Sequence, residues 1–150
     1  MGIELPKEVK NLVDRPNFGH LATLMPDGSP HSAPVWLGRE GDFILVITEG
    51  SSLKGKNTLR DPRVSLSVVD FHSPYTEAQI RGRVIERRPD PKLKYYDAFS
   101  QKYIGKPWPY RQEGEPIVLV IDAHNAKFSK QPFEHTPPSG QWKDDRFYRS

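Results

Sequence analysis

The sequence predicts a mainly β protein: an antiparallel barrel of about six or seven short strands with two or three helices at its periphery. Three observations predict it. Extended, apolar-rich runs follow one another along the chain, turn residues such as Asp27-Gly28 separate them, and few segments show helical spacing. An open α+β sheet is the alternative, because strand patterns alone do not show whether a sheet closes.

Apolar residues at helical spacing occur first near the N-terminus, at Leu5, Val9, Leu12 and Val13. Pro6 falls in the first turn, a position that tolerates proline, and Arg15-Pro16 disfavours continuation. We therefore expect a short N-terminal helix that ends near Arg15.

Seven runs have the length and composition of strands. They are residues 20–24, 32–37, 43–48, 63–69, 76–87, 117–123 and, as a final one, 126–131. Asp27-Gly28 favours a hairpin between the first two, because glycine readily adopts positive φ. The run 43–48 is almost continuously apolar, so we expect it to be buried on both faces.

Two further helices interrupt the strands. A short one is expected over residues 52–60, ended by Asp61-Pro62. A longer one is expected after Asp90, read as its N-cap with Pro91 in the first helical position, and Gly105 would end it.

Composition limits the classes of function. The 150 residues fit one barrel domain over 1–131, followed by a polar, aromatic-containing tail over 132–150 that we expect to pack on the barrel or on a partner subunit. The formal net charge of +3 is too mild to imply nucleic acid but suits an anionic small ligand. No signal-peptide or membrane-spanning run is visible, so we expect a cytoplasmic protein without a membrane partner.

Metal and nucleophilic chemistry have little support in the sequence. There are no cysteines, and the five histidines are dispersed without ligand spacing, so no metal site is expected. No serine lies in a G-x-S-x-G context, and no catalytic residue can be named.

Arg81 and Arg83 share a strand face, for which a solvated surface is the simpler interpretation. Trp36 and Tyr75 could flank a flat ring, although core packing is commoner for aromatic residues.

The segment Thr48 to Asn57 is the most informative one. A buried strand ends there in a Gly- and Ser-rich loop, and a helix begins, so free N–H groups and the helix dipole would attract an anion. Ser51 and Ser52 add hydroxyl groups, and Lys54 and Lys56 add positive charge. A solvated loop with ordinary surface lysines is the alternative.

The order of these segments resembles the pyridoxamine-phosphate-oxidase-like split-barrel proteins, a superfamily of flavin and deazaflavin oxidoreductases. The stretches that carry the resemblance are HLATLMPDGSPHSAPVWL, FILVITEGSSLKGKNTLRDPRVSLSVVD and PYTEAQIRGRVIE. The resemblance implies a split β-barrel that forms a homodimer, with each site built by both subunits. The Asp-Gly-x-Pro-His hairpin and the Pro-Val-Trp strand look most like the branch that uses the deazaflavin coenzyme F-420.

The resemblance also implies roles by position. Lys54 matches a lysine that contacts the cofactor phosphate, Ser52 its loop neighbour, and Thr48 the end of the strand beneath the ring. Lys56 and Asn57 fall where the deazaflavin branch has a basic residue and an asparagine. The strand that faces the ring edge includes Ser32, Pro34, Val35 and Trp36.

Two departures from the flavin mononucleotide (FMN) oxidase pattern favour the deazaflavin. That enzyme's phosphate-binding arginine on the second strand is replaced here by Ser32 or Ala33, and Leu53 replaces an arginine beside the lysine. The expected function is therefore hydride transfer from reduced coenzyme F-420 to a small conjugated acceptor. An FMN-binding reductase or oxidase of the same fold, or a non-catalytic binding protein, is the alternative.

Overall fold

The computed structural model describes residues 2–111 and 114–136, which contain three helices and seven strands. The helices are α1 (Lys7–Asp14), α2 (Leu53–Arg60) and α3 (Lys94–Ile104). The strands are β1 (Gly19–Leu24), β2 (Pro30–Val35), β3 (Leu37–Glu40), β4 (Phe43–Glu49), β5 (Arg63–Val69), β6 (Thr76–Pro89) and β7 (Pro116–Lys130). The mainly β prediction is confirmed. No helix in these ranges is long and apolar enough to cross a membrane.

All seven strands belong to one antiparallel sheet with the order β2-β1-β5-β6-β7-β4-β3. The sheet curls, so that strands distant in this order approach one another. A Cβ atom on Gly19 in β1 would lie 3.0 Å from Leu37 in β3 and 2.9 Å from Leu66 in β5. A larger residue at Gly19 would therefore force the Leu37 and Leu66 side chains to shift where the curled sheet brings its strands together.

The concave side of the sheet holds the main core, and α1 lies across it. Val9, Leu12 and Val13 of α1 pack in one cluster with buried residues from all seven strands. The expected N-terminal helix is thus confirmed, with Pro6 as its N-cap and Arg15 as its C-cap.

Strand β4 is buried on both faces, as its apolar run predicts. Ile44 and Val46 face the main core, whereas Leu45 packs with Phe99 of α3 on the opposite side. Gly38 leaves room for this packing, since a Cβ there would lie 2.5 Å from the Phe99 ring. Helix α3 thereby covers the outer face of β4 and β7.

Three local predictions need correction. Residues 37–40, expected as strand end and turn, form β3, because pairing with β4 overrides the local turn signal. Residues 117–123 and 126–131 are not two strands: β7 runs through both, and its pairing with β6 shifts register between Arg81 and Gly82.

The start of α3 is the third correction. The helix begins at Lys94, not at Pro91, and Leu93 precedes it in the left-handed region with φ 58°. Asp90 still serves the helix start, because its carboxylate accepts hydrogen bonds from the N–H groups of Tyr95 and Tyr96. Gly105 ends the helix at φ 70°, as expected.

Candidate cofactor-binding site

The site begins where β4 ends and α2 starts. Ser52 is the N-cap of α2, and its hydroxyl accepts a hydrogen bond of 3.0 Å from the Gly55 N–H. Among the described residues, the N–H groups of Leu53 and Lys54 in the first turn have no acceptor. This helix start is therefore free to attract a negative group.

The Ser52 hydroxyl has no spare capacity. It donates to the Glu49 carbonyl at 2.7 Å and lies 2.7 Å from the Thr48 hydroxyl, which must then be the donor of that pair. Thr48 and Ser52 thus hold the loop in shape, and their predicted contact with a cofactor stays a prediction.

Lys54 differs from an ordinary surface lysine. Its side chain is half-buried, and burial lowers the pKa of its ammonium below the ordinary value for lysine. No carboxylate in residues 2–111 and 114–136 forms a salt bridge with it. A partly desolvated, unpaired cation is the kind of group that a phosphate stabilises.

A cavity of about 380 Å³ opens beside Lys54. The corner between β2 and β3 supplies three of the residues expected at the ring, which are Pro34, Val35 and Trp36. The remaining lining residues come from four other segments, and they are Phe18, Ile47, Glu49, Tyr96 and Trp108. The structure thus brings Lys54, predicted to bind the phosphate, and the residues predicted to face the ring to one cavity, although they are about 20 residues apart in sequence.

Aromatic packing fixes the apolar wall of this cavity. Trp36 stacks on Tyr103 with ring centroids 5.0 Å apart and planes 3° apart. Trp108 meets Trp36 edge-on at 5.8 Å and Tyr96 at 5.4 Å. The Tyr103 hydroxyl donates to the Asn17 carbonyl and accepts from the Leu37 N–H. Such a wall offers flat, preorganised surface to a ring.

The polar side of the cavity carries a carboxylate. Glu49 Oε2 is shielded from solvent and has no hydrogen-bond partner in the described residues. Burial, with a contribution from the Glu49 and Asp90 carboxylates, raises the pKa of Tyr96. The Tyr96 phenol therefore stays protonated beside the Glu49 carboxylate.

Besides Thr48 and Ser52, four predicted site residues lie outside the cavity lining. Asn57 is 2% exposed and points into the protein, where its amide donates to the Thr23 hydroxyl at 3.0 Å. Ser32, Ser51 and Lys56 are exposed. We therefore assign none of the four a contact with the ring, and their binding roles stay predictions.

Arg81 and Tyr75, also considered from the sequence, do not line this cavity. Arg81 borders a shallow cavity of about 370 Å³ on the outer face of the sheet, together with His124. Tyr75 lies at neither cavity and instead packs edge-on against Phe133 at 5.4 Å. Phe133 belongs to residues 132–136, the part of the expected C-terminal tail that the structure describes. The other aromatic residues of the tail, Trp142, Phe147 and Tyr148, lie outside the described residues.

Sequence reasoning missed Phe18, Ile47, Glu49, Tyr96 and Trp108. Tyr96 falls within the helix expected after Asp90, and Ile47 falls within the run 43–48 expected to be a buried strand. The available signal was Trp108, because a tryptophan within a polar, proline-rich loop needs either a packing partner or a ligand.

Comparison with known proteins agrees with the fold. A family model described as pyridoxamine 5'-phosphate oxidase matches residues 5–130. The chain belongs to this family. The resemblance noted from the sequence is thereby confirmed for almost the whole barrel domain. No curated protein matches the chain by sequence.

Solved structures show the same architecture. An F-420 reductase is 28% identical, with a TM-score of 0.74, and the match covers 82% of this chain and 98% of that one. A conserved hypothetical protein from Mycobacterium tuberculosis is 21% identical, with a TM-score of 0.70 and coverage of 92% and 95%. General Stress Protein 26 from Bacillus anthracis, at 16% identity, a TM-score of 0.64 and coverage of 85% and 95%, shares the fold.

Proposed function

We propose that this protein is an oxidoreductase that binds coenzyme F-420 and reduces a small conjugated acceptor. One observation carries the proposal: the half-buried, unpaired Lys54 and an aromatic wall line the same cavity of about 380 Å³. A cation at one end and flat apolar surface along the side are what a phosphorylated deazaflavin requires.

The residues present fit such a cofactor. Lys54 and the free N–H groups at the start of α2 would hold its phosphate. Trp36 and Ile47 would lie against its ring and exclude water. When bound, the reduced cofactor supplies a hydride, and the protein supplies position and a dry environment.

Two comparisons support the deazaflavin over FMN. The solved structure named as an F-420 reductase is 28% identical across nearly its full length. Here Leu53 precedes Lys54, and Ser32 and Ala33 lie on β2, so Lys54 is the one cation among the described residues that line the cavity. A doubly charged terminal phosphate such as that of FMN is held better by several cations than by one.

A second candidate has its own supporting observation. The family model that matches residues 5–130 is described as pyridoxamine 5'-phosphate oxidase. An FMN-dependent reaction on the same fold is therefore the alternative. A non-catalytic binding protein would use the same cavity, because the fold alone does not specify a reaction.

Titration of the purified protein with F-420 and with FMN, followed by fluorescence, tests the cofactor. The proposal expects saturable F-420 binding that is clearly tighter than FMN binding, and tight FMN binding without F-420 binding would overturn it.

Single-turnover oxidation of bound reduced F-420 against a panel of conjugated acceptors tests catalysis. Binding without oxidation by any acceptor would favour the non-catalytic alternative.

We also propose that the protein works as a homodimer. Large apolar side chains remain exposed on the isolated chain, including Phe18, Leu59 and Phe71 at 41%, 70% and 64%. Burial of such surface by a second subunit would be favourable. Light scattering after size-exclusion chromatography should give about twice the monomer mass of 17.2 kDa, and a monomer at micromolar concentration would contradict the proposal.

A further inference from the structure

Lys102, near the end of α3, lies where three elements meet. Its side-chain nitrogen donates a hydrogen bond to the carbonyl oxygen of Val13 in the last turn of α1. It donates a second one to the carbonyl oxygen of Leu37, the first residue of β3, and both bonds measure 2.6 Å. The last carbonyl groups of a helix have no donor within that helix, so Lys102 supplies one to α1. This single side chain therefore joins α3 to α1 and to the corner between β2 and β3.

Lys102 and its neighbour Tyr103 together hold both backbone polar groups of Leu37. The Leu37 carbonyl accepts from Lys102, and the Leu37 N–H donates to the Tyr103 hydroxyl at 2.9 Å. Leu37 is fully buried and directly follows Trp36, which stacks on Tyr103. The position of Trp36 in the wall of the cofactor cavity therefore depends on how α3 docks against this corner.

The charged groups around Lys102 leave it without a direct counterion. No carboxylate in the described part of the chain forms a salt bridge with it. Asp14 of α1 favours its charged form from a distance, but that carboxylate accepts two hydrogen bonds from Arg39 of β3. The Tyr103 ring centroid lies 5.1 Å from the Lys102 nitrogen. Burial raises the pKa of the Tyr103 phenol to about 12, so this ring stays neutral at the pH values considered below.

The surroundings of Lys102 suit a neutral amine. Two carbonyl oxygens need two N–H donors, and a neutral amine still has two, so deprotonation breaks neither hydrogen bond. It also removes the cost of keeping a charge away from water. Burial accordingly lowers the pKa of Lys102 from its ordinary value of 10.5 to about 8. Because the pKa is lower in the docked state, docking of α3 becomes more favourable as the pH rises above about 8.

We propose that Lys102 is a pH-dependent clamp, which holds α3 against α1 and the β2–β3 corner and holds most tightly when its amine is neutral. Lys102 is thus a positioning residue for Trp36, acting through Leu37 and Tyr103. The value of a fixed Trp36 to a cofactor rests on the proposed function. The clamp itself does not, since it depends only on contacts within the free chain.

Titration of the wild-type protein without cofactor, followed by nuclear magnetic resonance, tests the clamp directly. The Lys102 Cε signal should titrate with a midpoint near pH 8, and the Trp36 indole N–H signal should move with the same midpoint. A Lys102 midpoint above about pH 10 would overturn the proposal. In Lys102→Met, which keeps the length of the side chain and removes the amine, the Trp36 signal should not move over this range. Movement that persists in this variant would come from Lys54 in the same cavity and would remove the link to Trp36.

Urea unfolding of wild type, Lys102→Met and Lys106→Met at about pH 6.5 and about pH 9.5 measures the energetic effect. Relative to Lys102→Met, the folding equilibrium constant of wild type should rise about five- to twentyfold between the two pH values. This range allows for the partial exposure of Lys102 to solvent. Lys106→Met removes an exposed lysine just beyond α3 and should respond to pH as the wild type does. An equal response of wild type and Lys102→Met, or a fall with rising pH, would overturn the clamp.

The two proposals fail separately, because neither of these measurements contains a cofactor. The wild-type titration also needs no variant, so it decides the matter even if Lys102→Met folds poorly. A Lys102 that titrates near pH 8 together with Trp36, in a protein that does not bind F-420, would support the clamp while the proposed function fails. Binding of F-420 by a protein whose Lys102 titrates above about pH 10 would overturn the clamp alone.

Discussion

The side-chain amide of Asn57 in α2 donates a hydrogen bond of 3.0 Å to the hydroxyl oxygen of Thr23 in β1. Both residues are buried, at 2% and 1% exposure. The side-chain oxygen of Asn57 accepts a hydrogen bond from the Arg60 guanidinium. This pair joins the helix that carries Lys54 to the sheet. Asn57 thus holds α2, and with it Lys54, against the sheet.

Replacement of Asn57 by alanine should reduce the free energy of unfolding by about 1–3 kcal/mol, because the buried Thr23 hydroxyl loses its partner. Urea denaturation measures the loss. Thr23→Val should cost a similar amount, and the double variant should cost less than the two single losses added together. Unchanged stability of Asn57→Ala combined with lost F-420 affinity would instead indicate a direct contact with the cofactor.

Gly55 sets how closely α2 approaches the loop before it. A Cβ atom there would lie 2.5 Å from the Glu49 carbonyl oxygen and 2.7 Å from that of Gly50, and these backbone atoms cannot rotate away. Gly55→Ala should therefore reduce the free energy of unfolding by about 1–3 kcal/mol, the usual cost of overpacking, despite alanine's better helix propensity. Thermal unfolding measures this, and a stabilised variant would show that α2 has room to move.

Replacement of Ser100, unlike the replacements above, is expected to raise the free energy of unfolding. It is fully buried in α3, and its hydroxyl has no hydrogen-bond partner in the described residues. Ser100→Ala removes an unsatisfied polar atom and improves helix propensity, so the free energy of unfolding should rise by about 1 kcal/mol. Ser51→Ala, at an exposed loop position, is the control and should change little. Destabilisation of Ser100→Ala would mean that the hydroxyl has a partner after all.

Burial of Lys54 predicts how cofactor binding responds to pH. Because burial lowers the pKa of its ammonium, the free protein loses this charge at a lower pH than an exposed lysine would. Affinity for the cofactor phosphate should therefore fall between about pH 7 and about pH 9.5. Binding at the higher pH should also take up protons, since the phosphate restores the charged form.

Lys54→Arg is the matched control for that pH dependence. Arginine stays charged throughout this range, so its affinity should change little between the two pH values. Calorimetry in two buffers with different ionisation enthalpies counts the protons taken up. An equal fall in affinity in wild type and Lys54→Arg would assign the pH dependence to another group.

The electrostatic effect of Glu49 can be tested separately. Its carboxylate lines the same cavity as Lys54 and opposes an approaching anion. Glu49→Gln keeps the shape of the side chain but removes the charge, so F-420 should bind about two- to tenfold more tightly at low salt. The gain should shrink as salt is added, and weaker binding would indicate that the cofactor donates a hydrogen bond to Glu49.

Local sequence signals were sufficient for most of the fold. The Asp27-Gly28 turn, the alternation along residues 63–69 and the helix start near Ser52 all correspond to features of the structure. The errors at β3 and β7 arise where pairing with a neighbouring strand overrides local turn chemistry. Such long-range pairing leaves little trace in a short window of sequence.

The site was predictable only in part for the same reason. Lys54 stood out because a helix start, a glycine-rich loop and positive charge are adjacent in sequence, and Trp36 because of the family resemblance. Tyr96 and Trp108 come from distant segments, and only the folded sheet brings them to Lys54. Asn57 was included through the family resemblance alone, because sequence does not show which way a helical side chain points.

The claim that Lys54 holds the cofactor phosphate has one direct test: calorimetric titration of wild type, Lys54→Ala and Lys56→Ala with coenzyme F-420. Lys56 is the matched control, since it is an exposed lysine one residue beyond Gly55 that does not line the cavity. The account predicts a loss of about 1.5–3 kcal/mol in binding free energy for Lys54→Ala, the scale of a charged hydrogen bond, and little change for Lys56→Ala. Equal affinities of wild type and Lys54→Ala, or equal losses in the two variants, would contradict it.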